Sequence, residues 1–195
     1  MLYLISMLGV FLDSEANGLD FRVHKILEIA YKIVDLKTGE LKEEFQAVIA
    51  QTRGEWDKSD KQSLSVNGFT WEEVAAGMAS NVAAATIIEM FKRHHIQRKK
   101  AVFICQNPSF DRVFFSQIID PDRQEKLNLP YHWLDLASMY WAVAIKNGKK
   151  PWETGYSKDD IAAQYRISSE EKPHRAMNGV SHLLLCYKSV VGFTS

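Results

Sequence analysis

Phe11-Leu12-Asp13-Ser14-Glu15-Ala16-Asn17-Gly18-Leu19-Asp20 follows ten mostly apolar residues, and its reading decides how the rest of the chain is understood. The apolar run predicts a buried strand over residues 1–12 that delivers two carboxylates at its end. Side chains alternate along a strand, so Asp13 and Glu15 face the same way with α-carbons roughly 7 Å apart. One hard cation can touch both at that reach. Magnesium and similar ions take carboxylate oxygens, keep several waters and let a phosphate complete the shell. Taken alone, the same pattern also describes a strand meeting solvent, with Asn17-Gly18 as the turn after it.

Outward from this stretch, residues 24–36 (HKILEIAYKIVDL) and 43–51 (EEFQAVIAQ) flank a Lys37-Thr38-Gly39-Glu40 turn. They read as an antiparallel hairpin beside the first strand. Residues 51–65 are polar and almost without aliphatic residues, with Trp56 as their one aromatic side chain, and read as a functional loop. Val74, Met78, Val82, Ile87, Ile88 and Phe91 recur at helical spacing, predicting one or two helices over residues 71–95. The basic cluster Lys92-Arg93-His94-His95 and Arg98-Lys99-Lys100 suits the C-terminus of that helix. Ala101–Cys105 is a continuous apolar run of the kind a central strand shows. Pro108 then opens a helix that carries Asp111 in its first turn. Residues 132–136 read as an edge strand followed by a helix through Ile145. Ser157 with Asp160 three residues on marks another helix start. A final apolar helix runs to Val191 from Pro173-His174-Arg175-Ala176-Met177-Asn178-Gly179. The polar run 168–173 (SSEEKP) has little to pack and predicts a mobile segment before His174.

The chain has 195 residues, long enough to bury roughly 70% of its unfolded surface. It reads as a single domain over residues 1–195. With 24 basic and 24 acidic residues there is no global charge of the kind a nucleic-acid coat or membrane-surface protein carries. A polyanionic partner must therefore be gripped locally. Cys105 and Cys186 sit in apolar runs and suit reduced thiols in a cytoplasmic protein. The N-terminal apolar run is too short to span a bilayer and lacks the basic start and cleavage site of a signal peptide. No membrane association is expected.

Three stretches in this order, DSEANGLD, QNPSFDRVFF and PHRAMNGVSH, resemble the three motifs of the DEDDh 3′→5′ exonucleases. That ribonuclease H-like family includes the epsilon proofreading subunit of DNA polymerase III and oligoribonuclease. KILEIA, the NGFT of residues 67–70 and YSKDDIAAQYRI extend the resemblance to nearly the whole chain. It implies an α/β fold of ribonuclease H type, a mixed five-stranded sheet flanked by helices. It also implies that Asp13, Glu15 and Asp111 hold metal and act in catalysis together with His174, the general base. Asn17, Gly18 and Leu19 would lie against the last nucleotide, with Asn107 contributing from the second motif; Phe69 reads either as an aromatic beside a base or as a core side chain. Two magnesium or manganese ions belong to an intact site of this kind.

The resemblance breaks at two positions. Gln106 stands where the epsilon-type pattern has histidine, and the last acid of the pattern falls on Gly179, preceded by Asn178. The expectation is a 3′→5′ exonuclease acting on single-stranded DNA or RNA by a two-metal mechanism, with one ion and the activity weakened at Gly179. The alternative is a catalytically silent exonuclease-like module that binds nucleic acid or protein. Implied partners are nucleic-acid 3′ ends, with a polymerase or a second copy of the chain beside them.

Overall fold

The computed structural model describes residues 7–194, so the first part of the expected opening strand, residues 1–6, lies outside them. Strand β1 (Leu8–Ala16) does not stop at residue 12 but runs through both carboxylates. Its antiparallel pairing with β2 (Ile26–Asp35) continues to Glu15 opposite Glu28 and shifts only between Glu15 and Ala16. A partner strand, invisible in the local sequence, extends the element. β2 turns into β3 (Leu41–Val48) as expected, with the Asp35 carboxylate accepting from the amides of Lys37 and Thr38 and Gly39 at φ 76°.

On its other side β1 pairs in parallel with β4 (Ala101–Cys105), which pairs in parallel with the edge strand β5 (Trp133–Asp135). The order is β3-β2-β1-β4-β5, the mixed five-stranded sheet expected. Both faces are covered, which is why the central strands read as unbroken apolar runs. Val10 and Leu12 pack on one face with Tyr31, Ile87, Phe91 and Phe103. Phe11 packs on the other with Tyr140, Ile161, Val180 and Leu183. By the same alternation Asp13 and Glu15 belong to the Phe11 face and Ser14 to the Val10 face.

Residues 51–65 are not an open loop. They hold α1 (Arg53–Trp56) and the start of α2 (Lys61–Asn67). Thr52 and Glu55 form a capping box and Asp60 caps α2, yet the two helices bury Asn67 alone, so no apolar period betrays them. The expected helical stretch divides into α3 (Trp71–Ala75) and α4 (Ser80–Arg93). Beyond β4 come α5 (Pro108–Phe115), the unforeseen and wholly unburied α6 (Pro121–Lys126), α7 (Leu136–Lys146) and α8 (Pro151–Thr154). α9 (Lys158–Gln164) starts on the expected Ser157–Asp160 capping box, and α10 (Ala176–Val190) ends the fold.

The amide of Leu8 donates to Lys100 O, which puts the basic cluster at the opposite end of β1 from Asp13. There Arg93 and His94 meet Glu43 and Arg98 meets Glu125, so local acids occupy those charges. Cys105 and Cys186 are free and buried. Among the described residues no helix is long and apolar enough to cross a membrane.

Candidate active site

Asp13 leaves β1 toward α9 and α10 and is half-buried. Burial pushes its carboxyl up to about 6, against the pull of the Lys158 ammonium and with help from Glu170. Glu15 is raised further, to about 8, first by burial and then by the charges of Asp13, Glu170 and Glu28. Asp111 arrives from the opposite face on the first turn of α5 and accepts from Ser14 Oγ at 2.7 Å. Burial lifts it well above the ordinary range and Asp13 is the largest charge acting on it. The three acids thus crowd one end of the sheet. Their mutual repulsion is the condition that a bound cation relieves.

A second layer of charge was not foreseen. Glu170, 7% exposed, accepts from Lys158 Nζ at 2.7 Å through one oxygen and lies 3.2 Å from His174 Nδ1 through the other. The polar run before His174 is therefore pinned rather than mobile, and the His174 amide adds a bond to Val66 O at the end of α2. Lys158 Nζ also donates to Gly179 O at 3.4 Å. Burial opposes its charge, yet Asp13 and Glu170 outweigh burial and hold the ammonium above its ordinary value. Glu28, buried opposite Glu15, accepts from the Ala176 amide and from Gln46 Nε2, each at 2.7 Å, and so fastens the start of α10 to β2. The clue to Lys158 was present in the sequence. A lysine in the first turn of a helix opposes the helix dipole and asks for a carboxylate to meet.

Beside Glu15 lies a groove of about 270 Å³, lined by Gly18, Leu19, Val66 and Phe110 among others. Leu19 is 79% exposed at its rim. Gly18 lies so close to the His24 ring that a Cβ has no room. Two expected contact residues are elsewhere. Asn17 is fully buried, its side chain bonded to Glu55 O, Ser59 Oγ and the Lys25 amide, so it shapes the strand end from behind. Phe69 packs with Leu27 and Val74 under the Arg175 guanidinium, 3.8 Å away, and offers no face to a base. Phe110, half-buried, is the aromatic that lines the groove. Asn107 holds the turn between β4 and α5 at φ 58°, its backbone N–H donating to Asp135 Oδ1 and its side-chain Oδ1 accepting from Ser109 Oγ.

The oxygens a divalent ion would find are those of Asp13 and Asp111, with Glu15 beside them. Among the described residues no three His, Cys, Asp or Glu side chains stand close enough to hold one ion between them. The remaining shell would be water and phosphate, as magnesium and manganese accept. The chemistry of this donor set suits a hard ion, and on its α10 side the cluster presents Gly179 and an ammonium in place of an acid.

A family model described as an RNase T exonuclease matches residues 10–181. No curated protein matches the chain in sequence. Among solved structures, the zinc-bound complex of E. coli ExoI with single-stranded DNA is similar at a TM-score of 0.71 and 17% identity, covering 95% of this chain and 40% of that one. Cell-death related nuclease 4 (CRN-4) is similar at 0.71 and 11% identity, covering 94% and 62%. The nuclease domain of 3′hExo, a DEDDh family member bound to rAMP, is similar at 0.67 and 15% identity, covering 95% and 90%. At these identities the likeness is one of fold, and the chain spans less than two thirds of ExoI and of CRN-4.

Proposed function

The chain belongs to the RNase T exonuclease family, and on that footing we propose that it is a single exonuclease domain removing nucleotides from the 3′ ends of single-stranded DNA or RNA, slowly and with one magnesium or manganese ion. The observation that carries this reading is the meeting of Asp13, Glu15 and Asp111 with a histidine whose ring is held by a buried acid.

In this reading the strand terminus enters the groove beside Glu15, with the backbone of Gly18 and Leu19 against the last nucleotide and Phe110 under its base. Asp13 and Asp111 would hold the ion. A bound divalent ion would polarise the scissile phosphate and favour ionisation of the attacking water. His174 takes the water's proton. Its Nδ1 is engaged with Glu170, so Nε2 is the ring nitrogen left to accept. Glu15, whose carboxyl is pushed up to about 8 in the metal-free fold by burial and by Asp13, would be drawn to its ionised form by a cation bound beside it.

Gly179 and Lys158 favour a second reading, in which the same groove binds a 3′ end without cutting it. A 5′-labelled single strand incubated with manganese, with and without chelator, separates the two. Chelator-sensitive shortening from the 3′ end supports the exonuclease. Tight binding with no shortening at any metal concentration supports the silent module.

A further inference from the structure

Lys158 stands where elementary electrostatics disfavours it. It is the first residue of α9, where the helix dipole repels a cation, and its side chain is only 14% exposed. The aliphatic arm carries the ammonium inward to Glu170 Oε2 and Gly179 O, within the fields of Asp13 and Asp111. The ammonium lies 3.2 Å from the point a Cβ on Gly179 would occupy, and Asp13 Oδ2 crowds that same point. The missing side chain on α10 and the intruding one from α9 are therefore two halves of one arrangement. Space that any residue with a side chain would fill at position 179 is shared by a carboxylate and a cation.

We propose that Lys158 is a resident cation of this site. Its ammonium holds the place beside Asp13 that a second divalent ion would need, limits the site to a single ion, and presents a fixed positive charge to a substrate phosphate. The inference rests on the exonuclease reading for the phosphate but not for the ion count. A covalently tethered ammonium is always present, so it excludes a mobile ion from its position at every metal concentration.

The test is manganese binding to the substrate-free protein, followed by calorimetry and by the electron paramagnetic signal of free Mn²⁺. The native chain should bind no more than one Mn²⁺. Lys158→Met should either admit a second ion or bind the first about tenfold tighter, the scale on which residues around a metal site act. Lys158→Met leaves Glu170 buried without its cation, so Lys158→Met/Glu170→Gln is measured beside it. The double variant removes both charges of the pair, keeps the net charge of the cluster, and should show a gain in the same direction. Two Mn²⁺ on the native chain, or unchanged binding in both variants, overturns the proposal. Hydrolysis of a labelled strand is read separately. No hydrolysis together with the gain in manganese binding keeps Lys158 as the resident cation and discards the exonuclease, and hydrolysis with unchanged manganese binding does the reverse.

Discussion

Gly179 on α10 and Asp13 on β1 share one space: a Cβ on the glycine would run into the Oδ2 of the aspartate. The carboxylate of Asp13 thus has room for this orientation only because the facing helix carries no side chain there.

Gly179→Ala should separate site geometry from stability. Alanine gains about 1 kcal/mol over glycine inside a helix, and overpacking costs about 1–3 kcal/mol, so the net loss is at most about 2 kcal/mol. The fold should survive with a modestly lower unfolding midpoint while Asp13 is forced to a new rotamer. Manganese affinity and strand cleavage, measured on the same sample, should both fall by at least about tenfold. Unchanged affinity with an intact fold would show that Asp13 does not hold the ion.

His174→Ala should lower turnover by roughly 100-fold or more if Nε2 takes the proton from water. Glu170→Gln should give a smaller loss, about 10- to 100-fold, by loosening the ring and the Lys158 ammonium together. It should also destabilise the fold, because Lys158 is left buried without its acid. Single-turnover rates and urea midpoints check both, and a His174→Ala enzyme as fast as the native one would return the histidine to a structural role.

Stability should fall as pH rises from about 4.5 to about 8 in metal-free buffer. The folded chain keeps the Glu15 proton to about pH 8 and the unfolded chain releases it near 4.5, so in that window the folded state binds more protons and loses ground with each unit. The loss is on the order of a few kcal/mol at most. Glu15→Gln should flatten the profile, and so should saturating manganese. A midpoint that rises through this window would mean that Glu15 is ionised in the fold.

Phe110→Ala should weaken binding of a single-stranded oligonucleotide by about 1–3 kcal/mol, the worth of one base stacked on an aromatic ring, at a stability cost smaller than a core truncation because the ring is only half-buried against Phe114. Phe69→Ala should do the opposite, costing about 3–5 kcal/mol of stability as a core truncation while the refolded protein binds strands as before. Fluorescence anisotropy and thermal melts on the pair distinguish groove from core.

The family and the order of its motifs were legible in DSEANGLD, QNPSFDRVFF and PHRAMNGVSH, because two carboxylates at a strand end and an acid in a first helical turn are local patterns. The end of β1 was not. Its pairing persists to Glu15 only because Glu28 stands opposite, and nothing within residues 8–16 announces that. The helices over residues 53–67 were hidden for the opposite reason, being held by caps instead of an apolar face. Glu170 read as one more charge in a solvated run. It became the centre of the site because the fold buried it between Lys158 and His174, partners 12 and 4 residues away along the chain. Phe69 looked functional because it is aromatic and near a motif, and packing claimed it.

The bond from the Ala176 amide to Glu28 has a consequence for the order in which the protein can assemble. Glu15 and Glu28 are cross-strand neighbours, and like charges directly opposite one another weaken a hairpin. The β1–β2 pair therefore carries an internal conflict that it cannot resolve by itself. Gln46 of β3 takes up one oxygen of Glu28 and the first amide of the last helix takes up the other, so the pair is fully met only when both neighbours are in place. The cleft around Asp13 is therefore complete only once the C-terminal helix, which brings His174 and Gly179 to it, has docked.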